Sequence, residues 1–117
     1  MNSSSLHFEA IGGITLELGA IVAANGGGGG QGSDKNTQGA NGADGDVSGL
    51  QALGGADIVA GGVGGLGGSG SAAPTKGNAK QAAGGGGGAV GRVILRTRST
   101  AALHAAVSAT LSAKQDF

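Results

Sequence analysis

The chain has 117 residues, of which 29 are Gly and two are Phe, and it contains no Trp, Tyr or Cys. Seven basic and seven acidic residues give a formal net charge of zero, which argues against nucleic-acid binding, because that requires clustered cations. The absence of Cys excludes a disulfide framework and thiolate metal sites. No apolar run is long enough to cross a bilayer, so we expect no membrane insertion.

Residues 1–25 are predicted to form a β-rich N-terminal region. Apolar and polar residues alternate over positions 6–10 and again over 14–18. Alternation with a period of two, bounded by Gly, is typical of half-buried strands. Gly12, Gly13 and Gly19 divide the region into three segments of roughly seven residues, the size of one turn of a three-sided β-solenoid.

Residues 26–90 form a glycine-rich, low-complexity insertion. It opens and closes with runs of five Gly, and between them Gly recurs at positions 39, 42 and 45 and at 61, 64, 67 and 70. A three-residue period matches a polyproline-II-type helix, in which Gly lets neighbouring helices approach closely. The insertion therefore fits a bundle of polyglycine-II helices, whereas collagen would need far more Pro. A flexible Gly-rich loop is the alternative.

Residues 91–117 are predicted to form a C-terminal β-rich region that pairs with the first. The predicted pairs are Leu6 with Val93, Phe8 with Leu95, Leu16 with Leu103 and, after a slip of one residue, Ile21 with Val107 and Ala23 with Ala109. Two outward pairs, Glu9 with Arg96 and Glu17 with His104, are complementary in charge, which stabilises neighbouring strands. A helix over 100–113 is the alternative, because its alanines favour helix; its Val, Thr and Ser residues favour a strand.

These patterns predict an all-β fold in which the two ends form neighbouring solenoid-like rungs around the insertion. Two rungs are marginal alone, because solenoid repeats need about three neighbours to build a continuous core, and their ends expose unpaired strand edges. We expect those edges to be covered by another copy of the chain or by further rungs of a longer parent chain. The residues predicted to serve packing or assembly are Leu6, Phe8, Ile14, Leu16, Ile21, Val93, Leu95, Leu103 and Val107. Among them, Phe8 is expected to be buried.

The chain offers few groups for catalysis or for binding a cofactor. Its Gly runs lack the Gly-Lys-Ser/Thr of a phosphate-binding loop, and no nucleophile motif of the form Gly-x-Ser-x-Gly follows a strand. His7 and His104 have no third ligand placed with them, although zinc needs at least three. Asp34, Asp44 and Asp46 are weak calcium candidates, since Asp also stabilises turns. We expect no cofactor and no enzymatic activity.

The run ITLELGAIVAANGGGGG at positions 14–30 enters the insertion, and GGGGGAVGRVILRT at positions 84–97 leaves it. In this arrangement the chain resembles secreted glycine-rich surface proteins and adhesins of bacteria with a right-handed, pectate-lyase-like β-helix. The middle resembles the polyglycine-II bundles of springtail antifreeze proteins and of phage-tip adhesins, without the disulfides of the former or the aromatic loop tips of the latter.

The resemblance implies an extracellular or cell-surface structural protein that self-assembles into a filament or layer. The alternative is an adhesin-type binding module that recognises a glycan, ice or a cell surface through its glycine-rich face. No signal peptide is found in the first residues. If the chain is complete, nothing in it directs export; if it is a fragment of a longer chain, the signal would lie upstream.

Overall fold

The computed structural model describes residues 5–57, 60–98, 102–103, 106–107 and 110–115, the last three ranges as backbone only. Within these residues there are strands and no helix, so the predicted non-helical class is borne out and the described parts of 100–113 are strand. The strands are β1 (Ser5–Ala10), β2 (Thr15–Leu16), β3 (Ile21–Val22), β4 (Arg92–Thr97), β5 (Ala102–Leu103), β6 (Ala106–Val107) and β7 (Thr110–Gln115).

The strands pair in three parallel sheets. β4 lies between β1 and β7, while β2 pairs with β5 and β3 with β6. Each pairing therefore joins a strand to the one three places further along the chain. The register matches the prediction for three pairs: Leu6 with Val93, Phe8 with Leu95, and Leu16 with Leu103.

Two features of the pairing differ from the prediction. Ile21 pairs with Ala106 and Val22 with Val107, so the slip is two residues rather than one. The cause is that the connection from β2 to β3 is longer than the connection from β5 to β6. The β2–β3 connection turns at Gly19, which has a φ of 89°. In addition, the C-terminal region does not pair with residues 1–25 alone, because β7 adds a strand to the other side of β4. The predicted partner of Ala23, Ala109, lies outside the described residues.

The strand region has a small core centred on β4. Val93 and Leu95 are fully buried, and the partly buried side chains that pack against them are Ile14, Val22, Ala24 and Val90. Val93 and Leu95 are buried because β4 has a strand on each side. Thr97, at the end of β4, is also buried, and its hydroxyl donates a hydrogen bond to the carbonyl of Gly12. This bond ties the end of β4 to the turn after β1.

Between the strands, the chain runs back and forth as six extended segments. We call them s1 (24–33), s2 (39–46), s3 (50–57), s4 (60–69), s5 (72–79) and s6 (82–91), and together the glycine bundle. Backbone hydrogen bonds of 2.6–3.0 Å join them and recur at every third residue. The amides at positions 26, 29 and 32 of s1 donate to s4, and those at 62, 65 and 68 of s4 donate to s6. The three-residue recurrence follows the phase of the glycines.

The hydrogen bonds place the six segments in two rows of three. Segment s1 bonds to s2, s3, s4 and s6, while s4 bonds to s1, s3, s5 and s6. Bonds between s2 and s3 and between s5 and s6 complete the arrangement. One row is therefore s2–s1–s6, and the other, stacked on it, is s3–s4–s5. The bond from the amide of Gly91 to the carbonyl of Ala24 joins s6 to s1 directly beside the strands.

Close approach of the backbones, rather than unusual dihedral angles, explains most of the glycines. Among the described residues only Gly19, Gly49 and Gly70 have positive φ. A Cβ at Gly29 would fall inside 3.0 Å of the carbonyl oxygen of Gly85, which is closer than real Cβ atoms come to other atoms. Such a position excludes every other residue unless the neighbouring segment shifts.

Substitution at Gly29 and at Gly86 should therefore have different effects on stability. Gly29→Ala should lower the free energy of unfolding by about 1–3 kcal/mol, the usual cost of overpacking. Gly86→Ala should be neutral or should stabilise by about 0.4–1 kcal/mol through a less flexible unfolded chain, because its Cβ would lie 3.7 Å from the nearest atom, the carbonyl oxygen of Thr75. Urea denaturation followed by circular dichroism measures both, and equal losses would contradict the close-approach argument.

Candidate functional site

The edge strand β1 exposes apolar side chains whose register partners on the neighbouring strand, β4, are buried. Leu6 and Phe8 on β1 hold the same register positions as Val93 and Leu95 on β4. Leu6 and Phe8 are 40% and 41% exposed, whereas Val93 and Leu95 are 0% exposed. Within the described residues β1 has a partner strand on one side only. The expectation that Phe8 is buried is therefore wrong, because nothing in the described chain covers that side.

The remaining residues predicted to serve packing or assembly are distributed over the strand region. Ile14 and Leu16 are half-buried, and Ile14 packs against the β4 core. Ile21 is 56% exposed on β3, an edge strand in its own sheet. Leu103 on β5 pairs with Leu16, and Val107 on β6 pairs with Val22; the side chains of Leu103 and Val107 are not described. The edge that starts at β1 thus continues through β3.

A charge pair lies on the outer side of the β1–β4 pairing. Arg96 Nη1 lies 4.0 Å from Glu9 Oε1, and the two side chains are 35% and 51% exposed. This confirms the predicted pair of Glu9 with Arg96. Exposed ion pairs contribute about 0–1 kcal/mol, so the pair favours the register more than it stabilises the fold. The other predicted pair, Glu17 with His104, involves a residue outside the described ones.

Two Gln side chains cross-link the glycine bundle, and sequence reasoning missed both. Gln31 is buried, and its Oε1 accepts hydrogen bonds from the amides of Asp57 at 2.7 Å and Ala40 at 3.3 Å. Gln51 Nε2 donates to the carbonyls of Gly67 and Ala73, at 2.8 and 2.9 Å. The sequence signal is a long amide side chain within a run of small residues. Gln31 Nε2 also donates to the carbonyl of Gly61 at 3.5 Å, so Gln31 joins four segments and Gln51 joins three, which fixes how the segments align.

Two of the three calcium candidates, Asp34 and Asp46, stabilise turns at the ends of segments. Asp34 Oδ1 accepts hydrogen bonds from the amides of Asn36 and Thr37, at 2.9 and 2.8 Å. Asp46 Oδ1 accepts from the amide of Ser48 at 3.0 Å, and hydrogen bonds from Ser48 lower the pKa of Asp46. Asp44 is exposed. In the part of the chain that the structure describes, no three His, Asp or Glu residues come together as a possible metal site.

A cleft of about 550 Å³ lies where the strand region meets the glycine bundle. Its lining contains no charged side chain and consists of Ser5, Leu6, Ala23, Ala24, Asn25, Gly26, Gly27, Gly88, Ala89 and Gly91. The cleft borders the exposed edge of β1 through Ser5 and Leu6, so it extends that surface. Among the described residues, the structure contains no helix with the length and apolarity needed to cross a membrane.

The turn function of Asp34 can be separated from metal binding with two substitutions. Asp34→Ala removes the acceptor of two hydrogen bonds and should lower the free energy of unfolding by about 0.5–1.5 kcal/mol. Asp34→Asn keeps an oxygen acceptor, so its free energy of unfolding should remain close to that of the unsubstituted chain. Thermal unfolding with and without millimolar calcium measures both effects. A calcium-dependent rise in Tm that both variants lose would instead identify Asp34 as a ligand.

No protein-family model matches the chain, and no match was found among curated proteins or among solved structures. The open β1 edge and the hydrogen-bonded glycine bundle are therefore the features from which function is inferred.

Proposed function

We propose that the chain is a structural, self-associating protein of the extracellular space or cell surface. In this proposal β1–β2–β3 and β4–β5–β6 are successive rungs of a β-solenoid, and β7 begins a third. The glycine bundle is a polyglycine-II-type insertion between the first two rungs. The observation that carries the proposal is the contrast in burial between Leu6 and Phe8 on β1 and Val93 and Leu95 on β4.

An open edge of this kind favours the addition of another strand. Edge strands present unpaired N–H and C=O groups, and many proteins protect them with Pro, bulges or inward-pointing charges. β1 reads SLHFEA over six residues and has no Pro, and its inward-facing positions carry Leu6 and Phe8. Covering apolar surface contributes about 25 cal/mol per Å². A strand that covers β1 would therefore gain both backbone hydrogen bonds and apolar contacts.

The glycine bundle supports a structural role over that of a mobile linker. Its hydrogen bonds join segments that lie far apart in the chain and recur with the three-residue period of polyglycine II. The molecule is elongated, with extents of 58 × 26 × 18 Å. A hydrogen-bonded bundle of this kind would act as a rigid projection from the strand region.

A second candidate function is recognition of a flat target by the glycine bundle. Positions 27, 30, 85 and 88 are all Gly, and Gly30, Gly85 and Gly88 are exposed. A surface of exposed glycines presents backbone without side chains, which favours a flat partner such as ice, a glycan array or a cell surface. The chain would then act as a monomeric binding module, as in the adhesin-type alternative.

Light scattering over a concentration series distinguishes the two candidates. We expect the mass of the purified chain to grow with concentration. Phe8→Ala should weaken this growth, because it removes apolar surface from the open edge. Leu18→Ala is the matched control, since Leu18 is 89% exposed and lies outside the strands. A constant monomer mass would contradict self-association and leave the binding module, to be tested by adsorption to ice or polysaccharide.

A further inference from the structure

Although the net charge is zero, the charges are divided unevenly between the two halves of the chain. Residues 1–57 contain six carboxylates and one Lys, and residues 60–117 contain six cations and one carboxylate. The carboxylates of the first half are Glu9, Glu17, Asp34, Asp44, Asp46 and Asp57. The cations of the second half are Lys76, Lys80, Arg92, Arg96, Arg98 and Lys114.

The fold separates these two halves along one axis, with Arg92 and Arg96 on the central strand β4. The order β1–β4–β7 defines the axis of the strand region. Segment s1 follows β3 in the chain, and s6 directly precedes β4. The direction from s1 to s6 therefore follows the direction from β1 to β4. Segment s2 bonds to s1 and s3 but, in the described chain, not to s6, and it lies on the far flank of s1. The acidic s2 and s3 therefore lie towards the open side of β1, and s5 towards β7.

Along this axis the largest sheet of the strand region is as wide as the glycine bundle, whereas the sheets β2–β5 and β3–β6 contain two strands each in the described chain. The sheet β1–β4–β7 contains three strands, and each row of the bundle contains three segments. Neighbouring strands lie about 4.7–4.9 Å apart, and the bundle segments are joined by N–H···O bonds of the same kind, 2.6–3.0 Å long. A copy whose β1 added to β7 of the next copy would repeat every three strands. Because each row of the bundle contains three segments, the bundles of neighbouring copies would also meet at this three-element repeat.

The charges at such a junction are complementary. Glu9 and Lys114 hold equivalent positions in the sheet, since each is the register partner of Arg96. Continuing that register from β7 to β1 of the next copy sets Lys114 beside Glu9 and Leu111 beside Leu6. In the bundle, the exposed Lys76 of s5 would face the acidic s2 and s3, where Asp44 and Asp57 are exposed.

We propose that the partner on the open β1 edge is β7 of a second copy, which pairs in parallel and in this register. The proposal rests on the self-association proposed above and specifies its geometry. The contact is heterologous, joining two different surfaces, so repetition produces a polar chain of copies rather than a closed pair. The opposite charges of the two ends favour this head-to-tail arrangement over head-to-head contact.

Charge reversal on either end tests the geometry. One variant combines Asp44→Lys with Asp57→Lys, and a second carries Lys76→Glu. Lys114 and Glu9 stay unchanged in both, so their contact is the same at every junction. Each variant alone should need about a tenfold higher concentration to associate, since attractive pairs become repulsive. An equimolar mixture should recover association, because copies of the two variants can alternate with opposite charges at every junction. Lys35→Glu, at the exposed turn between s1 and s2, is the control and should leave association unchanged.

Sedimentation velocity of each variant and of the mixture gives the result, with circular dichroism to show that each remains folded. Association of both variants at the unsubstituted concentration would overturn the head-to-tail geometry and leave self-association standing. Failure of the mixture to recover would likewise overturn it. A monomeric unsubstituted chain at all concentrations would overturn both this inference and the proposed function.

Discussion

The hydrogen bonds between glycine segments require backbones so close together that a single Cβ does not fit at many positions. The strand region depends on these bonds, because the bundle separates β1 from β4 in the sequence and brings them together in space. The bond from Gly91 to Ala24 joins s6 to s1 directly beside the strands. A flexible insertion of the same length would add a loop-closure cost that rises with length. An ordered insertion instead contributes contacts of its own.

The sequence predicts the strands better than it predicts what covers them. Alternation over β1 and β4 indicated the inward faces, and the register of Leu6, Phe8 and Leu16 followed from aligning the two ends. The register of Ile21 was missed, because the connection from β2 to β3, which turns at Gly19, is two residues longer than the connection from β5 to β6. Alternation also cannot show that β1 lies at an edge, and so the exposure of Phe8 was missed.

The glycine bundle marks a different limit of prediction. The three-residue period of Gly indicates closely packed extended segments, but identical residues carry no information about which segment lies beside which. That information comes from rarer residues. Gln31 and Gln51 bond across segments, and Asp34 and Asp46 hold turns between them. These few polar side chains determine the arrangement that the glycines make sterically possible.

The pairing of each strand with the one three places later has a consequence for the order in which the chain can fold. The partner of β1 begins at Arg92, so β1 leaves the ribosome long before the strand that covers its first side. Segment s1 likewise cannot form its hydrogen bonds to s4 and s6 until those later segments have been made. Long-range pairing of this kind slows folding and leaves apolar edges exposed meanwhile. The nascent chain must therefore remain soluble while the residues between β1 and β4 are made, and the glycine-rich stretch between them, with few large apolar side chains, suits that requirement.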